Sequence, residues 1–295
     1  MKFIHKLHIL VLLSFFELCG NGYCIDVRQI SMPLVPDITR ADIYYIQPQY
    51  QPIACLVMCP GVNGNGEYYL SHKDLQAFAD HYQVALIGLS FASDESTLHD
   101  FKGYYCASLG SGKLLLDAID QHVSNGVPLL LYGFSGGAHF VSTFQESYPQ
   151  RVMAWCAYTA FWWEEPKANT FTPPGIVACG KLDLARYASS FEYFQQGRRL
   201  GKPWCWLSLS NTDHAENDEL IRFMEAYFGS ILDKKLDAGG WFDINTKQKL
   251  TGDTLQQSDN VAWLPDNRVG DLWSSLHKPK IVYEDSNIID CKSLL

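Results

Sequence analysis

The sequence contains no cluster of lysine and arginine. Its 295 residues hold 23 Lys+Arg against 32 Asp+Glu, for a formal net charge of −9. Nucleic-acid binding needs a basic patch to meet the phosphates, so nucleic acid is not expected as a partner. No C-x-x-C pair and no Cys/His cluster has metal-ligand spacing. That argues against a zinc site, and neither a metal nor an organic cofactor is expected. A complete phosphate loop is missing too. Gly110-Ser111-Gly112-Lys113 suggests one, but Leu114 stands where Ser or Thr would bind magnesium, and Ala107 replaces the first glycine. Gly110 and Ser111 more simply start a helix. The N-terminal apolar run, Ile9 to Phe16, is broken by Glu17 and is too short to span a bilayer. No stable membrane insertion is therefore expected.

That run has another reading. Lys2 and Lys6 precede it and the small residues Cys19 and Gly20 follow. This is the pattern of a secretory signal peptide over residues 1–24, which predicts a secreted or periplasmic protein. Neither Cys19 nor Cys24 follows a small residue, as a lipid-anchored cysteine would. The chain has nine cysteines, seven beyond the leader. Five of these (Cys55, Cys59, Cys156, Cys179 and Cys205) lie in stretches that read as central strands. Cysteine there acts as a small buried apolar residue, and no disulfide framework is read.

The remaining composition is globular, with 47% hydrophobic and 19% charged residues and 14% aromatics. Continuous apolar runs alternate with helical periodicity. Ala54–Cys59, Val84–Phe91, Leu129–Tyr132, Val152–Ala160, Gly175–Cys179 and Pro203–Ser210 read as buried strands. Shorter strand-like stretches precede them at Val27–Leu34 and Ala41–Ile46. Helices are predicted over Glu67–Tyr82, from about Gly110 past Val123, from Ser135 to Tyr148, over Ala185–Leu200 and over Glu216–Tyr227. A loop is expected between Phe91 and Gly110. The pattern predicts an α/β fold: a mostly parallel central sheet with helices on both faces, spanning residues 25–235. Residues 236–295 are loop-rich. A hairpin or edge strand near Gly239–Leu250 is expected, and Trp263, Leu264 and Trp273 are candidates to pack this C-terminal extension on the domain.

Sheets of this kind hold ligands at the carboxyl ends of their strands. The stretch Leu129–Phe140 is a strand that stops at Gly133-Phe134-Ser135-Gly136-Gly137, a G-x-S-x-G motif with a helix after it. A sharp strand-to-helix turn holds such a serine in strained backbone geometry and exposes its hydroxyl beside free helical N–H groups. Side chains two residues either side would clash, hence the glycines. A nucleophilic serine needs a base, and the base an orienting acid, in the order Ser, Asp/Glu, His. Asp183 follows one late strand and His214 the next. Glu164 and Glu165 are the rival acids, one strand earlier; Asp183 is preferred because its strand directly precedes the histidine's. Asp213 reads as a solvated charge, and His139 as a structural residue on the helix after Ser135. Two oxyanion donors are also required. Gly136 N–H is one; Val62 N–H, in the Cys59–Gly66 loop, is the candidate for the other, with Asn63 as second choice. Asn63, Tyr68, Phe134, Phe161 and Trp162 are candidate pocket residues.

These elements, in this order, resemble the α/β-hydrolase family of serine esterases from about Ala41 to Gly229, and more loosely its dienelactone-hydrolase-like and polyester-depolymerase-like members. Many members carry His-Gly where this chain has Pro60-Gly61, but a backbone donor does not require the histidine. The resemblance implies an acyl-enzyme mechanism on a carboxylic ester, small or polymeric. An acyltransferase or peptidase would use the same triad. A non-catalytic binding module would typically lack a triad member, and each has a candidate here. The short stretch between Ala160 and Gly175 leaves no room for a large helical cap, so an open site is expected.

Overall fold

A computed structural model describes residues 16–20, 23–169, 171–234, 239–251 and 258–278. Most of the expected leader and the end of the tail therefore lie outside the described residues. Among those described, nine strands form one sheet: β1 (Phe16–Gly20), β2 (Tyr23–Ser31), β3 (Arg40–Ile46), β4 (Cys55–Cys59), β5 (Ala85–Ala92), β6 (Leu129–Phe134), β7 (Val152–Tyr158), β8 (Gly175–Gly180) and β9 (Trp204–Leu209). Their spatial order is β1-β2-β3-β5-β4-β6-β7-β8-β9. The first three run antiparallel, and β3 joins β5 antiparallel. From β5 to β9 every pairing is parallel.

Burial follows pairing. Every residue of β4, β5, β8 and β9 is buried, whereas β3 alternates buried and half-buried positions. A continuous apolar strand needs a layer on each face, and an alternating one needs only one. The covering helices are α1 (Lys73–Tyr82), α2 (Glu95–His99), α3 (Ser111–His122), α4 (Gly136–Ser147), α5 (Leu184–Arg199) and α6 (Asp218–Leu232).

Two departures from the periodicity have local causes. The helix expected over Glu67–Tyr82 is split: Gly66–Ser71 is a 3-10 turn, and α1 begins only after His72, whose extended backbone and Nδ1 cap the Leu75 N–H. Gly66 fixes the break, because a Cβ there would lie 2.5 Å from the Leu89 carbonyl oxygen. The loop expected before Gly110 holds α2 and two 3-10 turns. Asn217 caps α6 by accepting the Leu220 N–H, so that helix starts later than its amphipathic pattern suggests.

The tail closes the far side of the sheet. β10 (Gly240–Asp243) pairs antiparallel with β11 (Val261–Leu264), and α7 (Asn267–Leu276) follows. Trp273 is buried and its indole N–H donates to the Trp206 carbonyl at 2.7 Å. Asp266 accepts both the Val269 N–H that starts α7 and the Ser230 hydroxyl of α6. His277 bridges to Leu209, so the tail shields part of the β9 edge.

His277 carries a pH consequence. Its Nδ1 accepts the Ser208 N–H at 3.2 Å and its Nε2–H donates to the Ile244 carbonyl at 3.0 Å. Both nitrogens are committed in the neutral tautomer, and a second proton breaks the Ser208 bond. Burial pushes this imidazole down from 6.5 to about 3. Burial likewise lowers His139 to about 4. A depressed folded-state value means the stabilisation is complete above pH 6.5 and drains as pH falls towards 3. We expect acid to cost His277 on the order of 3 kcal/mol between pH 6.5 and 4. Thermal denaturation against pH should therefore show a shallower acid slope for His277→Asn than for the wild type.

Candidate active site

β6 delivers Ser135 directly into α4. Its backbone sits at φ 52 and ψ −112, a strained conformation for a residue with a side chain. The Ser135 N–H donates to the Tyr158 carbonyl of β7, which helps to hold the turn. The flanking glycines are steric requirements. A Cβ on Gly133 would lie 2.2 Å from the Gly137 carbonyl oxygen, and one on Gly137 would lie 2.1 Å from that of Cys59.

The Ser135 hydroxyl lies 2.9 Å from His214 Nε2, and His214 Nδ1 lies 2.8 Å from Asp183 Oδ2. Asp183 is buried at the start of α5. The same Oδ2 accepts the Thr159 hydroxyl, and Oδ1 accepts Arg186 at 3.0 Å. Burial alone raises the pKa of a carboxyl, but the bonds from His214, Thr159 and Arg186 hold this one below the usual carboxylate value. An ionised carboxylate only accepts, so the proton sits on His214 Nδ1. Nε2 is then the free acceptor facing the serine. The Phe134 ring stacks on the imidazole with centroids 5.1 Å apart.

Glu164 pairs instead with Lys167 at 3.2 Å, and Glu165 is exposed. Asp213 is also exposed. His139 is buried on α4, its ring between those of Tyr105 and Trp162.

The loop after β4 approaches Ser135 from the other side. A Cβ on Gly136 would lie 2.7 Å from both the nitrogen and the Cα of Val62, so these two backbones touch. Among the described residues neither the Val62 nor the Gly136 N–H has a hydrogen-bond acceptor. Asn63 is a correction to the sequence reading. Its N–H donates to the Tyr104 hydroxyl at 3.1 Å, and its side-chain amide makes a two-way bond with the Ser93 backbone. Its N–H is therefore not a free donor, and the residue braces the loop. Arg40 steadies the same turn through the Asn63 and Gly64 carbonyls.

The other candidate pocket residues have separate contacts. Phe161 is exposed beneath the Arg186 guanidinium, 5.8 Å from its ring centroid. Trp162 stacks on Phe101 at 4.8 Å. Tyr68 has its hydroxyl committed to Glu216 at 2.7 Å. Tyr104, which stands in a Tyr-Tyr pair that also suggested a pocket wall, instead braces Asn63. Thr159, Arg186 and Ser93 were missed, Thr159 because the apolar run that reads as β7 extends past it. No cluster of three or more His, Cys, Asp or Glu among the described residues is placed to hold a metal.

This strand order, with a strained serine between β6 and α4 hydrogen-bonded to a histidine after β9 that meets an aspartate after β8, defines the α/β-hydrolase fold. Solved structures share it. An S-formylglutathione hydrolase from Agrobacterium tumefaciens aligns at TM-score 0.57 and 12% identity, over 75% of this chain and 98% of that one. A poly(3-hydroxybutyrate) depolymerase from Bordetella parapertussis aligns at 0.51 and 16% identity, over 70% and 89%. An esterase from Pyrobaculum calidifontis aligns at 0.53 and 11% identity, over 70% and 84%. By sequence, no family model and no curated protein matches the chain. No helix among the described residues is long and apolar enough to cross a membrane.

Proposed function

We propose that this protein is an exported serine hydrolase that cleaves carboxylic esters through an acyl-enzyme. The observation that carries the reading is the unbroken relay from the Ser135 hydroxyl through His214 to Asp183, at 2.9 and 2.8 Å. In the first half-reaction the Ser135 oxygen attacks the ester carbonyl as its proton passes to His214 Nε2. The Val62 and Gly136 N–H groups receive the oxyanion, and Asp183 stabilises the imidazolium. The alkoxy group leaves with the Nε2 proton. Water, giving a proton to the same nitrogen, then attacks the acyl-serine and frees the acid and Ser135.

An open site supports bulky or polymeric esters as well as small ones. His214 is about a third exposed, and the described residues between β7 and β8 form no helix above it. Named esterase and depolymerase neighbours are in keeping with this range. Export rests on the lysine-flanked apolar run at the N-terminus. The test is hydrolysis of p-nitrophenyl acetate and butyrate. A burst followed by steady turnover, both absent from Ser135→Ala, is the expected result. Turnover that survives in Ser135→Ala would remove the serine from the chemistry.

A further inference from the structure

Two residues past the base stands a carboxylate that the triad does not use. Glu216 Oε1 accepts the hydroxyls of Tyr68, at 2.7 Å, and of Tyr69; its Oε2 accepts that of Tyr132 at 3.0 Å. The three tyrosines come from two other parts of the site. Tyr68 and Tyr69 sit in the 3-10 turn directly after the oxyanion loop, and Tyr132 lies on β6 three residues before the nucleophile. Tyr69 and Tyr132 are buried. Burial, together with the nearby Glu216 charge, holds both phenols well above their ordinary value, so they remain protonated donors. Glu216 is thus the meeting point of the segments that carry the oxyanion donor, the nucleophile and the base.

A turn-stabilising acid at the head of α6 is the plainer account of this residue. It does not explain the partners. A helix N-terminus is served by its own cap, and Asn217 already fills that role for α6. Three phenols from two distant segments contribute nothing to a helix start. They do fix where the His214 loop lies relative to Ser135. The loop has other anchors: the Thr212 carbonyl accepts the Leu182 N–H, and the Ala215 carbonyl accepts the Tyr158 hydroxyl at 2.9 Å. Losing Glu216 therefore leaves the loop attached but free to shift on the side that faces the oxyanion loop.

We propose that Glu216 is a positioning residue for the base: its tyrosine-bound carboxylate sets the His214 imidazole against Ser135 and couples that placement to the oxyanion loop. The inference rests on the hydrolase reading above. A displacement of the order of 1 Å at a reacting group costs about 10²-fold in rate, so Glu216→Ala is expected to lower kcat on p-nitrophenyl acetate between about tenfold and a hundredfold. KM should change less than kcat, because Glu216 acts on the reacting groups only through the placement of the His214 loop. Glu216→Gln keeps an acceptor oxygen and should recover part of the rate. Tyr68→Phe should slow the wild type but add nothing in a Glu216→Ala background, since its partner has already gone.

A second measurement needs no substrate. The proton between His214 Nδ1 and Asp183 should give a strongly downfield proton NMR line in the wild type and a broadened or shifted one in Glu216→Ala. All assays are run well below each variant's melting temperature, so that unfolding does not enter. Unchanged kcat with an unchanged line would overturn the proposal. So would a kcat loss that matches the unfolded fraction while the line stays in place. If the wild type hydrolyses no ester, the hydrolase reading falls, and the NMR line still decides whether Glu216 positions His214.

Discussion

Replacing His214 with alanine is expected to lower kcat on p-nitrophenyl butyrate by about 10⁶-fold, with KM within about threefold. The size follows from geometry. Nε2 stands 2.9 Å from the Ser135 oxygen, with its lone pair free because Asp183 fixes the proton on the opposite nitrogen. Without that acceptor the serine must attack as an alcohol, and the leaving alkoxide has no proton donor. The oxyanion donors and the strained turn remain, so residual catalysis over water should persist. Serine and histidine act as one unit, so the Ser135→Ala, His214→Ala double variant should lose little more than either single one. Steady-state kinetics with substrate saturation resolve kcat from KM. A loss below tenfold would mean that another group takes the serine proton.

Asp183→Asn should cost about 10⁴-fold in kcat with the fold retained. The carboxylate accepts from His214, Thr159 and Arg186 at once. An amide has one acceptor oxygen and brings two N–H donors into that cluster. If its NH2 faces His214, the imidazole must accept on Nδ1 and carry its proton on Nε2, where it opposes the serine hydroxyl. The Arg186 charge also loses its partner. Glu164→Gln is the matching control, because Glu164 pairs with Lys167 outside this network. It should keep kcat within about twofold. Near wild-type turnover in Asp183→Asn, with loss in Glu164→Gln, would move the acid to the earlier strand.

The parallel strands were legible because each is buried along all or nearly all of its length, which leaves a continuous apolar run in the sequence. The hydrogen-bonded set of Ser135, His214 and Asp183 was legible because each follows closely on a strand, so order along the chain stands in for proximity. The break at His72 was not legible: it depends on Gly66 pressing against the backbone of β5, and periodicity carries no record of that contact. The Asn63 N–H was misread as a free donor for a similar reason. An asparagine in a glycine-rich loop looks free, but its partner Ser93 lies 30 residues away. Glu216 left no signal at all. Its tyrosines are 148, 147 and 84 residues distant, and a lone glutamate beside a histidine reads as a solvated charge. The tail was legible as a packing segment from its tryptophans, but the His277 bridge to the β9 edge was not.

Ser135 is proposed as an activated nucleophile, held 2.9 Å from His214 Nε2. A fluorophosphonate probe tests it most directly, because it reacts with a serine only where a base and an oxyanion hole are assembled around it. Folded wild-type protein should gain one probe mass, mapped to the peptide containing Ser135, and His214→Ala should label far more slowly. Folded protein that fails to label, or that labels equally in Ser135→Ala, would contradict the account.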